Sequence, residues 1–502
     1  MRHAATGAGF AKAPAVRRIR PLAPFASRFA TGFTVCGVAA DAACAACRLP
    51  DTAEPSMSRT FLLPLMLLAA TANAATYQVG PTRTYASLNQ LFAAQDLGGG
   101  DVVEVDGNVT YAGGVVVPSG DGGSPGNPVV IRGIRVNGQR PHIAGGTNTV
   151  EFRQSNYLVF EGFEVSGGSA RCILQGAHEV TVRDSVIHAC PAHGILSTDQ
   201  LSGSFTLEYS EIYDAGAGTS QHPLYIQSDE IAWPGSVFRM RYNYVHDGTG
   251  GNLLKCRHER AEIHYNWFQG AAYHELELIG PDENTQQAGW SRDLVREDQD
   301  VVGNVIVHSN PAFGAVIRIG GDGTGVSKGR ARFVNNTFLL TSGTDTTVFR
   351  IFQEMQSVEM HNNVIDATAG GVPRIIRAVA GELAWTDGRQ IRGSNNWIES
   401  TATFVPDASE WSATLSGTNP GFVDAAGYDL RPAAASVLRD AGNGAPAGAP
   451  GFGFPTPLFP PAVQPQRAAT APGAALARPV DAAIDIGAFE RAGDVIFANG
   501  FQ

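Results

Sequence analysis

Between residues 128 and 400 the chain repeats one short phrase, in which apolar residues alternate with polar ones around a central small or turn-forming residue. It reads Val130-Ile131-Arg132-Gly133-Ile134 early in the chain, Arg241-Tyr242-Asn243-Tyr244-Val245 in the middle and His361-Asn362-Asn363-Val364-Ile365 later. The central residues are Gly133, Gly162, Ser185, Ser210, Asn243, Asn266, Asn304, Asn336, Asn363 and Asn396, at intervals of 23 to 38 residues. Period-2 alternation in short runs predicts strands, and a variable repeat of this size predicts a β-solenoid. Segments of 3.6-residue period, which a helical repeat would need, are almost absent. One coil cannot bury its own apolar face, whereas stacked coils do so and pair their backbones in parallel ladders. The fold class expected is therefore all-β, a single-stranded right-handed parallel β-helix. The recurring Asn predicts a turn whose amide bonds to neighbouring backbone and to the Asn of the next coil, with Asn itself in the left-handed conformation.

The ends read differently. Tyr85–Ala94 is the one good amphipathic helix; Ser87 sits where an N-cap belongs, and the helix is expected to close the N-terminal end of the core. Residues 75–444 are assigned to the β-helix, residues 445–480 to a loosely ordered Pro/Ala-rich wrap, and residues 481–502 to a closing strand at Asp485–Glu490 followed by a tail. Residues 1–56 are rich in Ala, Arg and Pro without apolar period and read as a non-native upstream extension. From Met57 a basic residue, Arg59, precedes the apolar run Thr60–Thr71 and the small-x-small site Ala72-Asn73-Ala74. That is the pattern of a signal peptide over 57–74, and it predicts a secreted or periplasmic protein. The run is too short to span a membrane, and no later segment competes.

Composition narrows the partners. Hydrophobic residues make up 43% and charged residues 17%, enough for a large core, and 59 glycines supply tight turns. The net charge is −11; without residues 1–74 there remain 28 basic against 44 acidic residues. Nucleic acid is excluded as the expected partner, and an anionic substrate would need a local basic patch. Cys172, Cys190 and Cys256 lie in the domain; the first two are candidates to pair, and Cys256 reads as a small core residue.

Four consecutive strands align as His193–Thr198, His222–Gln227, Asn252–Arg257 and His274–Ile279. Alternation puts Ile195, Leu224, Ile226, Leu254, Cys256, Leu276 and Leu278 inside. The outward rows are then His193/His222/Asn252/His274, Leu196/Tyr225/Lys255/Glu277 and Thr198/Gln227/Arg257/Ile279, on coils about 4.8 Å apart. The ordinary reading is a solvated strand face. Against it, histidines recur at one register although the chain has only 12.

Chemistry suited to this patch is β-elimination of a uronate polysaccharide. Negative charge builds up on the substrate carboxylate, so a bidentate Arg or a bound cation stabilises the transition state. Lys255 is cast as the base, its ammonium disfavoured by neighbouring Arg257; Arg257 is the carboxylate clamp, and His222 or Tyr225 the proton donor to the leaving oxygen. His193, Tyr225, Gln227, His258, His274 and Glu277 are the substrate-binding candidates. Hydrolysis is the second reading, since it requires paired carboxylates and Glu275 should point sideways or away. A non-catalytic binding solenoid is the third, favoured if Lys255 and Arg257 are closed into a salt network with Glu277 and Glu259. No metal site is assigned; Asp282-Glu283 and Glu297-Asp298-Gln299-Asp300 are calcium candidates, with a solvated loop as the ordinary reading. Gly320-Gly321-Asp322-Gly323-Thr324-Gly325 follows no strand–helix pattern and reads as turn chemistry.

The segment Gly251–His258 followed by Tyr265-Asn266-Trp267-Phe268 resembles a coil of secreted right-handed β-helix proteins of the pectate-lyase-like superfamily. Its Lys-x-Arg and Arg-His pieces are similar to active-site strands of the alginate and chondroitin lyase branch. Tyr77-Gln78-Val79-Gly80, the Ser87–Ala94 helix and Asp485–Glu490 are similar to that superfamily too, so the resemblance covers roughly residues 76–490. It implies a Lys base and an Arg acid or clamp at Lys255 and Arg257, an acidic polysaccharide as partner, calcium as a cofactor in some members, and a monomer. In that branch Lys and Arg usually lie on different coils, whereas here they share a strand. The clustered Asp residues of the hydrolase branch and the pectin esterase motifs are absent.

Overall fold

The computed structural model describes residues 74–492 except 295, 353, 379–390, 405–410 and 480–482. The upstream extension expected over 1–56, the signal peptide expected over 57–74 up to residue 73, and the tail after residue 492 lie outside the described residues.

Among the described residues the chain winds into a right-handed parallel β-helix with three long sheets of 13, 10 and 12 strands. Each complete coil gives one strand to each sheet: Leu224–Gln227 to the 10-stranded sheet, Val237–Arg241 to the 13-stranded and Tyr244–His246 to the 12-stranded. Every neighbour within these sheets is parallel, and the next coil starts at Leu254–Arg257, paired Leu224↔Leu254 and Tyr225↔Lys255. The helix Leu88–Phe92 packs Leu88 and Leu91 into the core, with Ser87 Oγ accepting from the Gln90 N–H as its N-cap. No helix of the described residues is long and apolar enough to cross a membrane.

The inward residues form one continuous core. Ile195, Leu224, Ile226, Leu254, Cys256, Leu276 and Leu278 are all buried, as alternation requires. Cys256 is a free buried thiol, pushed up to about 12 by burial, and Cys172 and Cys190 form a disulfide. Ile279, expected outside, is buried at the last position of its strand, where the chain leaves the sheet and alternation no longer sets the face.

The turn between the 13- and 12-stranded sheets carries an asparagine ladder. Each Nδ2 donates to the Oδ1 of the next Asn, from Asn243 through Asn266, Asn304, Asn336 and Asn363 to Asn396, at 2.9–3.0 Å. Each also donates to a backbone carbonyl of the coil before, as Asn336 does to Val301 O. The left-handed residue is not the ladder Asn but the one preceding it, with φ from 47° to 69° at Asp184, Tyr209, Tyr242, Tyr265, Gly303, Asn335, Asn362 and Asn395. The ladder residue keeps its amide in the stack, so the chain reverses one position earlier. By the same register Gly162 is a left-handed residue and Phe163 takes the ladder seat. Asn336→Ala removes four buried hydrogen bonds, through its Oδ1 to Asn304 N and Nδ2 and through its Nδ2 to Val301 O and Asn363 Oδ1. It is expected to cost about 4 kcal/mol or more, since unmet buried groups add to roughly 1 kcal/mol per lost bond; urea unfolding would measure it.

The segment after residue 444 is held to the outer face of the 13-stranded sheet rather than loosely draped. Arg260, Arg330 and Arg332 donate to Pro455 O, Gly453 O and Leu458 O, at 2.9–3.0 Å. Asp485–Glu490 is a series of bends, not a strand. Its backbone is fixed instead by side chains: Arg478 pairs with Glu490 at 2.9 Å, both buried, and donates to Asp485 O and Gly487 O.

Candidate functional site

The outward face of the 10-stranded sheet holds the predicted patch. Pairing places Tyr225, Lys255, Glu277, Arg318, Arg350 and Arg377 in one row, one residue per coil. A cavity of about 430 Å3 opens over this row, walled by His222, Asn252, His274, Phe313 and the loop 320–325.

Lys255 lies at its centre. Its Nζ is 2.7 Å from Asp322 Oδ2 and 3.4 Å from Glu277 Oε2, and 5.4 Å from the centre of the Tyr225 ring. Glu277 is also 3.3 Å from Arg318 Nη1 and accepts from Asn252 Nδ2 at 2.7 Å. Arg257, expected to clamp a substrate, is 1% exposed, with both terminal nitrogens engaged elsewhere and its buried Nε without a partner among the described residues. Its guanidinium donates to Asp322, Thr324 Oγ1 and Gly280 O, so it secures the loop from below. Burial works against the Asp322 charge, but Arg257 and Lys255 outweigh it and hold the carboxyl well below its usual range. A Cβ at Gly325 would lie 1.9 Å from Pro281 O and 2.6 Å from Arg257 Nη1, so only glycine lets the loop pass this close. Removing Arg257 as Arg257→Met leaves Asp322 short of its buried partner; an expected loss of about 3 kcal/mol, and faster proteolysis within 320–325, would show it.

The histidines are neutral donors and acceptors rather than charges. Burial, then the nearby charge of Lys255, pushes His222 down to about 3. Its Nδ1 accepts from Asn252 N at 2.9 Å, so its proton sits on Nε2. His193, pushed down to about 4 chiefly by burial, accepts through Nδ1 from His222 N, and its ring lies beside His222 and Tyr225. His274, well below its usual value through burial and Arg350, meets Asn252 Oδ1 through Nδ1. That amide oxygen already accepts from His274 N and its nitrogen donates to Glu277, so the His274 proton belongs on Nδ1.

Two substrate-binding candidates do not reach the groove. Gln227 is buried and donates to Ser197 O. His258 is buried at the coil corner, where its Nε2 meets Gly203 O at 3.2 Å. Gln227, paired with Arg257, holds the last place of its strand and His258 lies one residue beyond the next strand; at these strand ends alternation no longer predicts the face. Glu275 is likewise inside rather than sideways, with both carboxylate oxygens 3.0 Å from His308 Nδ1. Glu259 is not in the Lys255 network; it accepts from Gly235 N. The acidic run does not form a calcium cage: Glu283 pairs with Arg292, Asp298 with Arg330 and Asp300 with Arg332.

Asp322, Arg318 and Arg350 are the residues that sequence reading missed. The two arginines were within reach, because Val316-Ile317-Arg318-Ile319 and Val348-Phe349-Arg350-Ile351 carry the same alternation as the Lys255 strand. Nothing local signals that Asp322 folds back over the patch.

No family model matches the chain, and no curated protein does. Among solved structures it is similar to pectate lyase Pel9A, with 12% identity, TM-score 0.46 and coverage of 83% of this chain and 96% of that one. It is similar to the PL6 family alginate lyase AlyGC, at 12% identity and TM-score 0.42 over 68% of this chain and 51% of that one. An alginate lyase from Paenibacillus sp. str. FPU-7 follows at 15% identity and TM-score 0.35, over 68% and 99%. All three likenesses lie below a TM-score of 0.5, and the parallel β-helix rests on the three parallel sheets themselves.

Proposed function

We propose that the groove over Lys255 binds an acidic, uronate-containing polysaccharide and cleaves it by β-elimination. The observation that carries this reading is the row of basic side chains, Lys255, Arg318, Arg350 and Arg377, on one sheet face of a chain with net charge −11. Glu277 stands in the row between Lys255 and Arg318; beyond it Arg318, Arg350 and Arg377 follow on successive coils about 4.8 Å apart, a regular spacing of cations for a polymer bearing regular carboxylates.

In this reading Arg318 and Arg350 face the substrate carboxylate and offset the charge that grows on it as the adjacent C–H proton leaves. Lys255 takes that proton in its neutral form, its own proton having gone to solvent rather than to Asp322, whose carboxyl is held well below its usual range. The C–O bond to the leaving sugar breaks as the ring double bond forms. Tyr225, beside Lys255 on the preceding coil, protonates the departing oxygen; a neutral imidazole N–H is too weak an acid, so His222 Nε2–H orients substrate instead.

A second reading, a binding solenoid without catalysis, draws on the closed contacts of Lys255 and Arg257 with Asp322 and Glu277. Ultraviolet absorbance of new unsaturated uronate ends separates the two, on alginate, pectate, chondroitin and hyaluronan. Cleavage predicts a rise with one polymer, slowed about 10²-fold or more in Tyr225→Phe. Binding of a polymer without any rise would overturn the lyase reading.

A further inference from the structure

A second cluster of chemistry-bearing residues lies on another sheet, apart from the Lys255 groove. His142, Glu164 and His188 stand on three successive coils of the 12-stranded sheet, all on its outward face. His142 pairs directly with Glu164, and His188 pairs with Ser166, two residues further along the Glu164 strand. Both imidazoles turn their Nε2 atoms to the same carboxylate oxygen, Glu164 Oε1, at 2.9 Å from His188 and 3.8 Å from His142. The three ligand atoms lie within 4.8 Å of one another, the one such grouping of three or more His, Cys, Asp or Glu among the described residues.

We propose that His142, Glu164 and His188 bind a d-block divalent cation of the zinc class. Bonds of 2.0–2.2 Å to a tetrahedral ion put neighbouring ligand atoms roughly 3.3 Å apart, so small side-chain rotations complete the site. Two imidazoles and one carboxylate select such ions over calcium or magnesium, which take oxygen ligands. The rings are already oriented: His188 stacks on Tyr213 at 5.1 Å and 9°, and Tyr213 on His246 at 5.0 Å and 11°. The present partner of His142 Nε2 is Ser166 Oγ at 2.8 Å, a hydroxyl that can turn away or become a fourth ligand. Beyond the cluster lies a cavity of about 600 Å3, whose wall includes Arg135 and Arg140. These arginines are held by Asp184, so they do not contest Glu164. An ion here keeps a coordination position open to water or an anionic ligand, and it ties three coils together beside the Cys172–Cys190 disulfide.

The test uses the full chain, stripped with chelator and equilibrated with Zn2+ in imidazole-free buffer, with metal per chain measured by elemental analysis. One equivalent is expected in the wild type and in His246→Ala, which alters the same ring stack outside the site. Glu164→Gln and His188→Ala are expected to weaken binding at least tenfold while far-ultraviolet circular dichroism stays unchanged. Co2+ in the wild type should give the intense visible absorption of a four-coordinate site and be displaced by Zn2+ but not by Ca2+. Substoichiometric binding to the wild type, or a full equivalent retained in His142→Ala/His188→Ala, overturns the assignment.

Discussion

Lys255→Ala is expected to abolish uronate cleavage, by a factor of about 10³ or more, while leaving the fold and polymer binding nearly intact. The side chain is on the outer face of its strand, and the core below it is made by Leu254 and Cys256. Asp322 keeps its contact with Arg257 in the variant, so the loop 320–325 stays seated. Lys255→Arg sharpens the result. Arginine preserves the positive charge and can reach Asp322, but it does not release a proton at working pH. If Lys255 acts only as a charge that holds polymer, Lys255→Arg retains most activity and Lys255→Ala shows its defect in KM. If Lys255 carries the proton, both variants lose kcat with KM little changed. Recovery of substantial kcat in Lys255→Arg would therefore remove the base from the mechanism and leave Lys255 as a binding group.

Sequence periodicity reached the interior and the middle of each strand, and failed where loops decide. The row Tyr225/Lys255/Glu277 and the asparagine ladder follow from two regularities, alternation along strands and stacking between coils, and both recur in the structure. Arg257, Gln227 and Ile279 occupy the last position of their strands, and all three are buried. At Arg257 the loop 320–325 replaces solvent. Loop placement depends on contacts between segments distant in sequence, such as Asp322 with Lys255 across 67 residues, and no local pattern encodes them. The glycines at 320–325 read as turn chemistry in the sequence, whereas at Gly325 the absence of a side chain lets the loop approach Pro281 and Arg257. The same limit explains why Arg257 reads as a free cation in sequence and is a buried strut in the fold.

A second large effect is expected from pH, through acids that the fold keeps protonated. Glu230 is 2% exposed; Trp290 Nε1 donates to its Oε2 at 2.6 Å, and its Oε1 has no partner among the described residues. Burial, with the charge of Glu297 next, pushes it up to about 8; Glu297 itself rises to about 7, chiefly through burial. Glu259 and Asp229 add negative charge around Glu230. An unfolded Glu titrates near 4.3, so between that value and about 8 the native state binds more protons than the unfolded state. Stability is then fully present below the unfolded value and falls as pH rises, by up to about 1.4 kcal/mol per pH unit for each such group. Burial-depressed histidines act in the opposite sense: His222 and His258, pushed down to about 3 and about 4, remove stability as pH drops below about 6.5. Maximum stability is expected where the two limbs overlap and oppose each other, between about 4.3 and about 6.5. Glu230→Gln keeps the buried shape and the acceptor for Trp290 without a proton to lose. Urea unfolding at pH 6.5 and pH 8, above the histidine limb, should show a clear loss for the wild type and a smaller one for Glu230→Gln. Parallel losses in the two proteins would mean that Glu230 ionises in the fold at its ordinary cost, with solvent reaching it past Trp290.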